Sequence, residues 1–212
     1  MSIKNNSPYT ASLTGCGFMF TEMNSLLPLL LSEESDALLK REIEENNLLL
    51  IKSETSRKRA IAEFKKRFTA VPRSFWVWYE TISDNTKFWA MFYVILKTYR
   101  ILFDLQINVV LNNWRSISQT VTTNDLISEI YNISSQDEFV DSWSEDTKRK
   151  ITSSFLTILR KVGLLDANTD QLLSPTVNEQ EFAFFFQIGE SWFLEACLLE
   201  SYVINRIKSN AI

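Results

Sequence analysis

The segment KFWAMFYVILKTYRILFDLQINVVLNNW, from Lys87 to Trp114, constrains the fold more than any other. Its apolar residues do not keep to one stripe but cover most of a helical circumference. Such a helix is stable only when other elements surround it. The pattern therefore predicts a central buried helix over Lys87 to Trp114, capped by Asn85 and Thr86. Lys97, Arg100 and Asp104 interrupt it, and its apolar run Phe88 to Leu96 is far shorter than the ~20 residues a bilayer span needs. The aromatic row Phe88, Trp89, Phe92, Tyr93 and Tyr99 has two readings: a base-stacking platform or core packing. Core packing carries more weight.

The surrounding elements also read as helices. Only four glycines and four prolines occur in 212 residues, which argues against a turn-rich β fold. Six tryptophans and fifteen phenylalanines imply an aromatic core. Met1 to Pro8 reads as a loose arm, and Tyr9 to Gly17 as a tight turn, since its glycines lack the rest of a dinucleotide fingerprint. Phe18 to Leu31 forms a first helix. Ser32 caps a second, with Leu38, Leu39 and Ile43 on its stripe, and Asn47 to Lys52 is a connector with buried leucines. Ser53 opens a third helix, with Ile61, Phe64 and Phe68 as its apolar stripe. Six cations lie between Arg57 and Arg67, against the single acid Glu63. Lys58 and Lys65, and Arg59 and Lys66, stack on one side, with Arg57 and Arg67 at the margins. Three helices with a basic third form a first helix-turn-helix candidate.

The second candidate lies further on. Pro72 can start a helix carrying Phe75, Trp76, Trp78 and Tyr79. Thr122 to Asn124 cap a helix through Tyr131, and a short helix near Asp137 to Ser142 follows. Ser144 then caps a helix with Glu145 and Asp146 in its first turn. Ile151, Phe155, Ile158, Leu159 and Val162 form its apolar stripe, and Gly163 stops it. Leu164-Leu165 and Leu172-Leu173 around Asp166 to Asp170 suggest a small hairpin. This is the order of a recognition helix and its wing. The outward face carries Arg149, Lys150, Ser153, Ser154, Thr157, Arg160 and Lys161, cations and hydroxyls suited to phosphate oxygens. Asn178 starts an aromatic helix, and Ser191 to Lys208 a last amphipathic one.

We therefore expect an all-α globular protein with two helix-turn-helix-like units, the second with a short β-hairpin wing. The units are residues 1–71, central helices 72–119 and 120–212, within one compact domain. Net charge is −4 and the sequence pI about 5.1, so cations that bind nucleic acid must be segregated into patches. There is no histidine, which removes histidine-based catalysis and histidine metal sites. Cys16 and Cys197 lack metal or redox spacing and read as buried thiols of a reducing cytosol. No signal peptide is read at the start. A cytoplasmic monomer without cofactor or metal is expected.

Three stretches together, YTASLTGCGFMFTE, SRKRAIAEFKKRF and WSEDTKRKITSSFLTILRKVGLLD with the later LLSP, resemble the BrxA family of bacteriophage exclusion (BREX) defence systems. The resemblance implies an all-helical, double-stranded-DNA-binding protein with helix-turn-helix elements. It would act beside a methyltransferase and other BREX components in marking host DNA and blocking phage replication. The family has also been likened to the antitermination factor NusB, an RNA-binding helical bundle. The site residues expected from helix faces are Arg57, Lys58, Arg59, Lys65, Lys66, Lys148, Arg149, Lys150 and Arg160. Base reading would fall mainly to Arg149, or to Arg57 or Arg59, so contact is expected to be mostly sequence-independent. A protein–protein adaptor, with the acidic second helix and hydrophobic C-terminal helices as docking faces, is the alternative. An RNA-binding bundle comes third and an enzyme last.

Overall fold

The computed structural model describes residues 6–12 and 17–211. Cys16 and most of the arm expected over Met1 to Pro8 lie outside them. Three helices open the fold: α1 (Phe20–Leu31), α2 (Ser35–Glu45) and α3 (Glu54–Thr69). They pack on one another pairwise, and α3 rests on α5 (Asp84–Thr98), reached through α4 (Arg73–Thr81). One continuous apolar cluster runs from Phe18 to Ile207, with Trp76, Phe92, Phe155 and Phe193 fully buried. Trp89, Phe92, Tyr93 and Tyr99 of the aromatic row are in that core, as packing requires.

The central helix is not continuous. Ser83, not Asn85 or Thr86, caps α5, its hydroxyl accepting from the Thr86 N–H at 3.4 Å. Helicity breaks at Tyr99, which is extended (φ −118°, ψ 96°). The break lets the Tyr99 hydroxyl sit between two buried side chains of α3, Arg67 and Glu63, at 3.0 and 2.5 Å. Helix α6 (Arg100–Leu105) then widens into a π turn at Gln106–Val110 before α7 (Leu111–Trp114). The π turn carries the buried Gln106, whose Nε2 donates to the Ala196 carbonyl at 2.6 Å.

Three other expectations are corrected. Of the connector leucines only Leu49 is buried; Leu50 is 75% exposed. Asn46 and Leu50 are both left-handed, and the Glu42 carboxylate accepts from the N–H groups of Asn47, Leu48 and Leu49 at 3.1, 3.0 and 2.9 Å. This carboxylate, 4% exposed, shapes the loop in place of leucine burial. Glu42→Ala leaves three N–H groups without their acceptor. It should lower unfolding free energy in urea by about 1–3 kcal/mol, and a change below ~0.5 kcal/mol, the surface level, would refute that role. The last helix is also two, α12 (Trp192–Ala196) and α13 (Ser201–Asn210). Cys197, Leu198 and Leu199 are all buried, which one helix face cannot do for three consecutive residues, and Leu198 turns at φ 56°. At α2 the expected cap Ser32 lies two residues early: Glu34 is the N-cap, and the Ser32 hydroxyl accepts the Glu34 N–H at 3.2 Å.

The second unit follows its sequence signals closely. Thr122 and Asp125 form a reciprocal capping box for α8 (Thr123–Ser134). Asp137 caps the short α9 (Glu138–Asp141). Ser144 caps α10 (Glu145–Lys161), its hydroxyl accepting from the Thr147 N–H at 3.2 Å. Gly163 ends α10 at φ 79°, the left-handed conformation glycine adopts at no steric cost. Asn178 caps α11 (Glu179–Gln187), which packs on α12 and α13. The expected wing is shorter than a strand pair. Among the described residues it is one antiparallel bridge, Leu165 to Leu172, extended by a second from Thr120 to Gln171. The Val121 N–H donates to Asp170 O at 2.9 Å and the Leu172 N–H to Gln119 O at 2.8 Å, so the segment before α8 joins the hairpin as a third chain.

Candidate nucleic-acid interface

Helix α10 is amphipathic along its whole length. Ile151, Phe155, Ile158 and Leu159 are at most 1% exposed, which locks the rotation of the helix and fixes what its other side presents. Arg149, Lys150, Ser153, Thr157 and Lys161 are exposed there, spaced three and four residues apart. Among the described residues Arg149 and Lys150 make no ion pair. Arg160, on the flank, reaches Asp170 of the hairpin turn at 3.8 Å.

Lys148 is corrected. It is buried, with its ammonium 5.1 Å from the Tyr131 ring centre and 3.4 Å from Glu145. It lies under α10 against α8, because position 148 falls with Ile151 and Phe155 on the inner side of the helix. The Tyr131 hydroxyl donates to Glu145 at 2.5 Å, and that bond is the main reason the Glu145 carboxyl is held below the usual carboxylate range. Tyr131 and Glu145 lie on different helices, so the contact has no local sequence signal.

The hairpin turn carries no cation. The Asp166 carboxylate accepts from the N–H groups of Asn168 and Thr169, both at 2.9 Å, and these bonds lower its pKa. A turn held by its own aspartate, with Asp170 beside it, presents Asn168 and Thr169 outward but no charge that attracts phosphate.

The basic helix α3 divides its cations. Arg57 is corrected from margin to interior. It is 8% exposed, donating through Nε to Ile43 O at 2.8 Å and through one terminal nitrogen to Ile51 O and Lys52 O at 2.7 and 3.1 Å. It ties α3 to the loop after α2, so no donor on those nitrogens is directed outward. Arg67 is fully buried in the same way. Lys58 pairs with Glu54, and Lys65 with Asp36, each at 2.5 Å on the surface. Lys66 donates to the Ser12 hydroxyl at 3.0 Å, lies 3.6 Å from Glu63 and sits over the Tyr99 ring. Arg59 is exposed with no ion pair among the described residues. The expected patch of six is therefore Lys58, Arg59 and Lys65, with Lys66 beside it.

No group of three or more residues suited to holding a metal occurs among the described residues. No helix among them is long and apolar enough to cross a membrane.

These features define an all-α protein with a helix-borne cationic face next to a short hairpin. The chain belongs to the BrxA family, whose profile matches residues 7–189. That membership points to a component of a BREX system. An uncharacterized protein from Magnetospirillum magneticum, known from a crystal structure, has the same fold at a TM-score of 0.73 and 20% identity, over 90% of this chain and 98% of that one. No curated protein matches the chain.

Proposed function

We propose that this BrxA-family chain is a non-enzymatic, monomeric subunit that binds double-stranded DNA beside other BREX components. One observation carries the reading. The outward face of α10 is a row of cations and hydroxyls, Arg149 and Lys150 make no ion pair among the described residues, and the opposite face is anchored in the core. Exposed cations and hydroxyls on a rigid helix suit phosphate oxygens. The order α8, α9, α10 and hairpin is that of a winged helix, with α10 as the helix that enters the groove. Lys58, Arg59 and Lys65 supply a second contact, since solvent-exposed pairs such as Lys58–Glu54 are weak and exchange readily for phosphate. Arg57 and Lys148 take no part. With few side chains placed to read bases, binding is mainly electrostatic and salt-sensitive.

Fluorescence anisotropy on a labelled duplex across a salt series tests this. Arg149→Ala with Lys150→Ala should flatten the slope of log K against log salt by about 1.8, that is ~0.9 for each of two contacts. Unfolding free energy should stay within about 0.5 kcal/mol. Unchanged affinity and slope in a folded variant would sink the proposal.

A further inference from the structure

A cleft beside the α10 face has no role in that reading. It encloses about 570 Å³ between residues 17–22, Phe88 of α5 and the C-terminal half of α10. That is within the ~300–1,000 Å³ typical of small-ligand sites. Three of its features belong together. First, Phe20 and Phe88 stack with ring centres 3.9 Å apart and planes 15° apart, and Phe18 lies behind them at 6.0 Å from each. Phe18 is buried, but Phe20 and Phe88 are only partly covered and line the opening. Second, Lys161 and Glu22 line the same cleft with opposite charges, yet neither makes an ion pair among the described residues. Third, the wall is over-determined. Gly17 and Met19 are left-handed (φ 52° and 43°), and the buried Arg67 donates to the carbonyls of Gly17 and Phe18 at 2.5 and 2.8 Å. A non-glycine residue in that conformation persists only where its surroundings impose it, and such positions cluster at binding sites.

We propose that this cleft binds a nucleotide whose base carries an amino group where guanine and thymine carry a carbonyl, that is adenine (N6) or cytosine (N4). The base extends the Phe20–Phe88 stack, since any base presents a π face to an aromatic ring. The Glu22 carboxylate accepts the amino hydrogen, as acidic side chains do from such groups. The phosphate meets the Lys161 ammonium and the Ser154 hydroxyl. The separated charges thus find their partners at opposite ends of one ligand. The nucleotide is either free or the unpaired end of a strand lying along α10, because Thr157 and Lys161 belong to both the exposed face and the cleft. Binding here does not depend on duplex contact by Arg149 and Lys150.

Calorimetric titration of the full chain with dAMP, dCMP, dTMP and deoxyadenosine tests the site. dAMP and dCMP should bind several-fold more tightly than dTMP, which lacks the amino group. Lys161→Ala should weaken dAMP about tenfold, the loss of one charge-assisted bond, and leave deoxyadenosine unchanged. Phe88→Leu should weaken both. If it fails to fold, the surface variants Lys161→Ala and Glu22→Ala still decide. Equal affinity for all four ligands, no binding of any, or unchanged dAMP affinity in Lys161→Ala overturns the proposal. A 5′-phosphorylated single strand starting with adenosine that binds more tightly than dAMP identifies a strand end as ligand; one that binds no more tightly identifies the free nucleotide. Arg149→Ala with Lys150→Ala should keep dAMP binding, so this site and the duplex face fail separately.

Discussion

Arg67→Ala should cost about 3–5 kcal/mol, the range for truncating a large, fully buried side chain that also leaves its hydrogen-bond partners unmatched. In a chain of 212 residues that corresponds to a fall of on the order of ten degrees in Tm. The guanidinium is fully buried and donates to Tyr99 Oη, Phe18 O and Gly17 O at 3.0, 2.8 and 2.5 Å. Tyr99 in turn donates to Glu63 at 2.5 Å. Burial, more than the neighbouring charges, pushes the Tyr99 hydroxyl far above the usual phenol range, so it remains a donor at neutral pH. Without Arg67 the Tyr99 hydroxyl and two carbonyls lose their donor and a cavity opens, while Glu63 keeps Lys66 at 3.6 Å. Arg67→Lys should recover little, because one ammonium on a flexible stem does not reproduce a planar fork bonded to three acceptors. Thermal and urea unfolding followed by circular dichroism give the answer; a loss below about 1 kcal/mol would mean the network contributes no more than a surface pair.

Phe155→Ala should cost a similar about 3–5 kcal/mol, from lost transfer energy and the cavity left in a core that relaxes only partly. Phe155 is completely buried on the inner stripe of α10. The variant differs from Arg149→Ala with Lys150→Ala in kind. Its stability falls, while its affinity for duplex DNA, measured at low temperature where it is still folded, should match the parent protein. A folded Phe155→Ala protein with DNA affinity reduced tenfold would show that the outward face of α10 is set by something other than its packed stripe. Stability unchanged in urea would show that α10 is not anchored through this ring.

The local signals were most legible in the second unit. Ser144 before two acids, a stripe at helical spacing and Gly163 after it mark α10 within a residue at each end, because caps and periodicity act within a turn of the chain. Thr122 marked the start of α8 in the same way, but the helix runs on to Ser134, three residues past the expected Tyr131. The central helix was legible as buried but not as broken. An apolar pattern shows that Lys87 to Trp114 is enclosed; the break at Tyr99 depends on a hydroxyl site made by Arg67 and Glu63, some thirty residues earlier. The π turn likewise depends on Gln106 reaching Ala196, 90 residues away.

The same division separates what the sequence by itself determined from what tertiary structure decided. Composition, helix signals and ordered motifs were enough for an all-α chain of the BrxA family with two cation-bearing helices. They were not enough to say which of those cations meet solvent. A helix places Arg57, Lys58 and Arg59 about 100° apart, but only its neighbours decide which of the three becomes interior. The carbonyls of Ile43 and Ile51 claim Arg57, the carbonyls of Gly17 and Phe18 claim Arg67, and the ring of Tyr131 covers Lys148. Each of those partners comes from another element. A charge is buried only where hydrogen bonds or a countercharge compensate its desolvation. That compensation is assembled by folding, so Arg149, Lys150 and Arg59 are distinguished from their buried neighbours only in three dimensions.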